Sequence, residues 1–542
     1  MFRRLIATTL LFVLFVGYVP AKPTLKKRFQ RISRQALEDK IRGGWAGQMI
    51  GVSYGAPTEF ESLGKIIETN IDNYQNWTPE RVSNAIKQDD LYVEMTFAEV
   101  MDRLGLNATI EDYGEAFKNS KYPLWHANAS ARRLLNRGIK PPWSGHPRYN
   151  IHANDIDFQI ESDFIGMMTP GLPQEANRFA ERVGRLMNYG DGLYGGMFFS
   201  GMYAATFFEN DSRTVVEKGL ASIPERSGYA RIIRDVLDWS SQYPEDWKKT
   251  WHLIEDKWNR DDTCIDGALR PFNIDARLNG AYVVLGLLYG KGDFAKTLEI
   301  STRSGQDSDC NPSSAVGILG VILGYSGIPD EWKSGIEKIS ERKFDYTNYS
   351  FRDITKSTVE RALKVIINTG GKITDDEVFV PYQMPKTPKL EQWDMGIPHK
   401  LIEVKEVQWL WKGAWSEETD PDTNTLSGMV ANGAGSEATL KFNGVAVALV
   451  GPLSQSGGKG YVYLDGKMAG EIDAYIALRT YDRDLWHVSG LKPGQHTIRI
   501  VTSDDAHKFS KGRKILIMGA IEYQRAGMSR TVTSKRKLSS AR

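Results

Sequence analysis

The apolar segment at residues 41–54 carries glycine at every fourth position: Gly43, Gly47 and Gly51, with Gly55 continuing the series. That spacing puts all four on one face of a helix. Glycine weakens a helix, so a bare stripe predicts close packing against another backbone. The turn Gly55-Ala56-Pro57-Thr58-Glu59 follows directly. Helical periodicity then dominates residues 80–370, with Leu91, Met95, Val100 and Leu104 recurring on one side. Asn311 as cap and Pro312 in first position predict a helix over 313–323. Residues 276–289 read as another, and Gly290-Lys291-Gly292-Asp293 as a loop. Strand-like alternation is scarce here, so residues 30–380 read as one all-α domain, entered by a basic, solvated stretch over 26–34.

The pattern changes after a linker at 381–400, punctuated by Pro381, Pro385, Pro388 and Pro398. Short alternating runs at 438–442, 445–450, 460–464, 485–488, 496–501 and 515–523 are separated by glycine turns. Asp465-Gly466 is a hairpin signal. These runs predict a smaller all-β sandwich, jelly-roll-like, over 401–524. The basic, Ser/Thr-rich stretch 525–542 reads as a disordered tail. The expected fold class is thus multidomain, helical and then β.

Composition adds limits rather than detail. The chain has 542 residues, 41% hydrophobic and 25% charged, which suits a globular protein. A net charge of +2 gives no global field for nucleic acid or membranes. Arg3 and Arg4, the apolar run 5–16 and the small Ala21 read as a signal peptide over 1–21. The expected location is secreted or periplasmic, with no stable membrane span after cleavage. Cys264 and Cys310 are the two cysteines, too few for a disulfide framework or a zinc-thiolate site, although they could pair in an oxidising compartment.

The candidate chemistry lies in two aspartate clusters, Gln88-Asp89-Asp90 and Gly305-Gln306-Asp307-Ser308-Asp309-Cys310-Asn311. Each opens an apolar helical stretch, with no lysine or arginine within it. Carboxylates gathered without cations call for an added one, and oxygen ligands favour Mg²⁺, with Mn²⁺ or Ca²⁺ as alternatives. The competing reading is helix capping, which one cluster would satisfy but two exceed. A calcium-binding EF-hand loop is excluded, since Pro312 and Ile318 stand where it needs glycine and glutamate. HExxH, GxSxG and paired CxxC motifs are absent, and the eight histidines lack ligand spacing.

The ordered set of glycine-spaced helix, Gly55-to-Glu59 turn, Asp89-Asp90 and Asp307-x-Asp309 resembles the ADP-ribosylglycohydrolase family over residues 40–330. The resemblance implies an all-α fold with two Mg²⁺ ions between the clusters. It implies Asp89, Asp90, Asp307 and Asp309 as ligands, flanked by Gln88 and Cys310, and Glu59 and Asp307 as catalytic residues. Gln88 and Cys310 stand where the family often has hydroxyl residues. Gln88 still offers a carbonyl oxygen, whereas Cys310 is a poor match to Mg²⁺. The middle of the chain, rich in Trp, His, Asn and carboxylates, suits sugar recognition, with Asn128, Glu161, Asp163 and Asp191 as candidate substrate-binding residues.

The C-terminal sandwich resembles galactose-binding-like, carbohydrate-binding domains. Trp409, Trp411, Trp415 and Trp486 suit either a sugar platform or core packing. Three functions follow: a secreted Mg²⁺-dependent hydrolase of an ADP-ribosyl bond, a glycosidase on the same fold acting on a glycan or furanoside, or a non-catalytic carbohydrate-binding protein. Oligomeric state is left open.

Overall fold

The computed structural model describes residues 28–70, 76–259, 262–419, 426–478 and 482–525. The expected signal segment lies outside them, as does the tail beyond Arg525.

The first helix, Arg34–Gly55, starts at Ser33, whose hydroxyl accepts the Ala36 N–H at 3.0 Å. It runs antiparallel to the helix Cys310–Gly327, and the glycine stripe is the reason the two can meet. A β-carbon built at Gly43, Gly47, Gly51 or Gly55 would fall within 3.0 Å of a backbone oxygen, that of Gly320, Val316, Pro312 or Ser308 in turn. Each step of four in one helix is answered by a step of four in the other. Side chains are thus excluded along the seam, and backbones pack directly.

Lys40 closes the far end of this pair. Its half-buried ammonium donates to the carbonyls of Val321, Ile322 and Thr206 at 2.9–3.1 Å. The Val321 and Ile322 carbonyls directly precede Gly324, whose φ of 72° breaks the helix. The helix starts earlier than its sequence suggests. Asp309 is the cap, accepting the Cys310 N–H at 2.9 Å, so Asn311 and Pro312 lie inside the first turn. Asn311 instead donates to Asn279 at 3.0 Å.

Around this pair pack helices that are apolar on nearly every side, Asp191–Thr206 and Ala276–Gly290 among them. Such helices belong in a core. The unit is not purely helical. Phe29–Ser33, expected as a solvated approach, is a strand pairing antiparallel with Glu377–Pro381, which also pairs with Lys372–Ile373. This small sheet ties the two ends of the helical unit together.

The C-terminal unit is built of antiparallel sheets. One has the order Lys467–Asp473, Gly458–Leu464, Gly494–Ala506, Glu437–Gly444, Trp409–Lys412. A second has the order Asp484–Val488, Ala446–Val450, Gly519–Gln524, Ile397–Glu403. Asp465 and Gly466, both at positive φ, form the expected two-residue hairpin. The run 515–523 is two strands, Lys514–Ile517 and Gly519–Gln524. Trp409 stacks on Trp411 with centroids 4.9 Å apart, and Trp415 meets Trp411 edge-on. All four tryptophans pack in or against the sandwich core, favouring the packing reading.

The two units share a buried seam. Ile151, Ile265 and Ala268 of the helical unit pack with Ala446, Ala448 and Tyr523 of the sandwich. Arg133 donates to the Asp484 carbonyl at 2.8 Å and pairs with Asp482 at 3.2 Å. The proline-rich linker is laid along the helical unit. The Lys386 carbonyl accepts from Asn177, the Lys389 carbonyl from Tyr194, and Glu391 pairs with Arg185 at 2.9 Å.

Helix propensity alone makes Gly→Ala stabilising by about 0.5–1 kcal/mol. The backbone seam reverses that sign for Gly47→Ala, with an expected loss of about 1–3 kcal/mol or more from overpacking. Denaturant unfolding of the variant measures it; a gain in stability would contradict the seam.

Candidate active site

The helix seam ends where the candidate site begins. Beyond Gly55, the chain turns through Thr58, whose hydroxyl donates to the Gly55 carbonyl at 2.8 Å and pairs with the Ser308 hydroxyl at 3.0 Å. Phe60 N–H donates to the Gln306 carbonyl, and Gln306 N–H to the Ser62 carbonyl, both at 3.0 Å. Gln306 adopts a φ of 55°, held by its buried amide, which accepts from Asn273 and donates to Pro271. These bonds join the Glu59 turn to the loop carrying Asp307 and Asp309. The helix Asp89–Leu104 presents Asp89 and Asp90 in its first turn to the same place.

The electrostatics show that the clusters converge. Glu59 is exposed at the edge of the group, yet its carboxyl is raised to about 9, first by the charge of Asp309, then by desolvation, Asp89 and Asp90. Asp307 is raised to about 7 by burial, with Glu59 and Asp89 adding to it and a hydrogen bond with Asp309 opposing. Burial, then Asp307, pushes Asp309 well up, and burial, then Asp89, does the same for Asp90. Asp89 is raised by burial and by Asp157. Asp307, Asp309 and Cys310 each offer a ligand atom within 4.8 Å of the others.

A divalent cation fits this donor set. Asp90 Oδ1, Glu161 Oε2 and Asn311 Oδ1 are buried with no hydrogen-bond partner among the described residues. Oxygens left so invite a hard cation. Cys310 does not fit that role. Burial and the surrounding aspartates push its thiol up, and sulfur is a soft donor poorly matched to a hard cation. Both cysteines are free, so the possible pairing does not occur. Gln88 makes no side-chain cap bond to the helix it precedes.

The middle of the chain is buried around the clusters. Glu161 feels Asp157, Asp89 and Asp90, and accepts a short hydrogen bond from the Asn128 amide. Asp157 accepts the Ala127 and Asn128 N–H groups at 3.2 and 2.8 Å, fixing the start of the helix His126–Asn136. Asp163 is buried, accepting the Tyr203 hydroxyl at 2.8 Å, and its charge pushes the buried Glu94 carboxyl up further. Asp191 is not brought to the group. It accepts the Tyr229 N–H at 3.0 Å and its charge neighbours are Arg277 and Asp275, so helix-start bonding accounts for it.

Sequence reasoning passed over Asp157, Glu94 and His126. Asp157 and His126 sit in motifs rich in polar residues, but only the fold puts Asp157 beside Asp89 and His126 beside Glu59.

The family model described as ADP-ribosylglycohydrolase matches residues 33–371, well over half of the chain. The chain belongs to the ADP-ribosylglycohydrolase family. This family of hydrolases is typically metal-dependent, in keeping with the ligand groups present. Two curated relatives come from Flavonifractor plautii. An A type blood N-acetyl-α-D-galactosamine deacetylase is 28% identical over 139 residues, 26% of this chain and 17% of the relative. An A type blood α-D-galactosamine galactosaminidase is 35% identical over 151 residues, 28% of this chain and 13% of the relative. The chain thus matches less than a fifth of either relative's length. Among solved structures, an ADP-ribosylglycohydrolase-related protein complex aligns with 60% of this chain and 98% of its own, at a TM-score of 0.41 and 11% identity.

A carboxyl whose pKa is higher folded than unfolded loses stability for the fold as pH rises from about 4 through the folded value. Asp307 at about 7 and Glu59 at about 9 set that window for the cation-free protein. Thermal unfolding of chelator-treated protein should therefore show a midpoint that falls with rising pH across it, less steeply in Asp307→Asn. Added Mg²⁺ or Mn²⁺ should raise the midpoint most at the alkaline end. Parallel curves for both proteins would refute the crowding.

Proposed function

We propose that this protein is an exported, Mg²⁺-dependent glycohydrolase that cleaves a ribosyl bond of the ADP-ribosyl type. The observation that carries the reading is the convergence of exposed Glu59 and half-buried Asp89 with buried Asp90, Asp307 and Asp309 in one carboxyl-rich group on this family's scaffold. Asp89, Asp90, Asp307 and Asp309 would hold two Mg²⁺ ions, with the Gln88 carbonyl oxygen available to complete a shell. When bound, the metals supply Lewis acidity, holding sugar hydroxyls and polarising water.

The chain's own residues do the rest. Cleavage at an anomeric carbon builds positive charge on the sugar, and the dense carboxylates favour that charge. Glu59, exposed at the edge, is the carboxyl an entering sugar meets first, and His126 counters the push of the aspartates on it. Asp307, pushed up to about 7 by burial in the cation-free protein, would be ionised beside Mg²⁺ and hold it in place. Glu161, held by Asn128, completes the wall behind Asp89 and Asp90.

A second reading, a glycan as substrate, is supported by a different observation. Trp143 and Trp393 are exposed and both meet His146, with centroids 5.1 and 5.0 Å from its ring. Exposed rings at a seam between two units suit stacking on sugars. The relatives' names, both concerned with A type blood sugars, point the same way.

Asp309→Asn should lower cation-stimulated turnover by about 100- to 10,000-fold while the protein stays folded. Assays of ADP-ribosylated peptides beside glycan fragments, with and without Mg²⁺, check both readings. Release of ADP-ribose supports the first; release of sugar alone supports the second. Unchanged turnover in Asp309→Asn would refute the metal-carboxylate site.

A further inference from the structure

A second group of ligating side chains lies at the seam between the helical unit and the sandwich. His126, His152 and Asp266 each offer a ligand atom within 4.8 Å of the others. His126 Nδ1 stands 3.5 Å from Asp266 Oδ2. His152 is fully buried, and its Nε2 has no hydrogen-bond partner among the described residues; the nearest acid, Asp482 Oδ1 of the sandwich, is 4.0 Å away. His126 Nδ1 is likewise buried without a hydrogen bond. Two imidazole nitrogens with no bond, facing carboxylates at such distances, leave a gap that a cation fits. Ligands about 2.0–2.1 Å from a tetrahedral ion stand about 3.3 Å apart; the His126–Asp266 pair, at 3.5 Å, has that spacing, and a His152 nitrogen lies within 4.8 Å of both.

The surroundings support the same reading. His152 Nδ1 is bonded to Asp155 Oδ2 at 2.7 Å, which fixes the ring and leaves Nε2 as its unbonded nitrogen. A carboxylate behind the far nitrogen is the usual support of a metal-bound histidine.

We propose that His126 Nδ1, His152 Nε2 and Asp266 bind a divalent cation of the Zn²⁺ class, with Asp155 as the orienting carboxylate and Asp482 reaching in from the sandwich. Imidazole nitrogen selects zinc-class ions over Mg²⁺, so this site differs in kind from the all-oxygen carboxylate group. Three protein ligands leave one position open for water or a further oxygen. The ion would tie the start of the helix His126–Asn136 to the Asp266 loop and to the edge of the sandwich. The inference does not depend on which glycosidic bond the protein cleaves.

Chelator-stripped full-length protein, equilibrated with Zn²⁺ and then washed, should retain one zinc per chain by elemental analysis. X-ray absorption of that zinc should show imidazole ligation. The Asp307→Asn/Asp309→Asn variant should keep the zinc and His126→Gln should lose it. Asp155→Asn should weaken binding by about 10- to 100-fold. The absorption measurement needs no variant, so misfolding cannot mask the answer. No retained zinc, an all-oxygen shell, or zinc lost from the aspartate variant but kept by His126→Gln would overturn the site.

Discussion

The direct backbone contact between Arg34–Gly55 and Cys310–Gly327 is the constraint from which the rest of the molecule follows. Four glycines at four-residue spacing let two helices approach more closely than side chains allow. The closeness fixes register as well as distance, because each glycine meets one particular carbonyl. Register in turn delivers Gly55 to Ser308, so the turn bearing Glu59 is bonded to the loop bearing Asp307 and Asp309. The site is assembled where the seam runs out.

Assembly at that point gathers charge. Five carboxyls share one neighbourhood with His126 at its edge, while nearby arginines are engaged elsewhere. Arg303 donates to the Ile67 carbonyl and pairs with Glu299, and Arg133 pairs with the sandwich. The aspartates are held instead by backbone bonds such as Cys310 N–H to Asp309. The fold thus stores repulsion that a hard cation relieves, and the unpartnered oxygens of Asp90 and Glu161 are its local sign. At the seam with the sandwich the same logic recurs with nitrogen in place of oxygen, at His126 and His152.

Much of this was legible in the sequence, for physical reasons. A glycine every fourth residue has few meanings beyond close helix contact, and paired aspartates at helix starts exceed what capping needs. Asp465-Gly466 predicts its hairpin because both positions need positive φ. Other features depend on partners far along the chain. Nothing local in 29–33 announces a strand, since its mate is Glu377–Pro381. Asn311-Pro312 looks like a helix start, but the bond from Cys310 N–H to Asp309 moves it earlier. Asp191 resembles the other aspartates until Tyr229 N–H and Arg277 account for it. His126, His152 and Asp266 have no ligand spacing and meet only in the fold.

The central claim, that the helix seam builds a hard-cation site from two distant aspartate clusters, is tested most directly by anomalous diffraction from crystals soaked in Mn²⁺. The account predicts manganese peaks between Asp89 and Asp90 on one side and Asp307 and Asp309 on the other. A manganese-free cluster, with the same carboxyls hydrogen-bonded to one another at saturating Mn²⁺ and neutral pH, would contradict it.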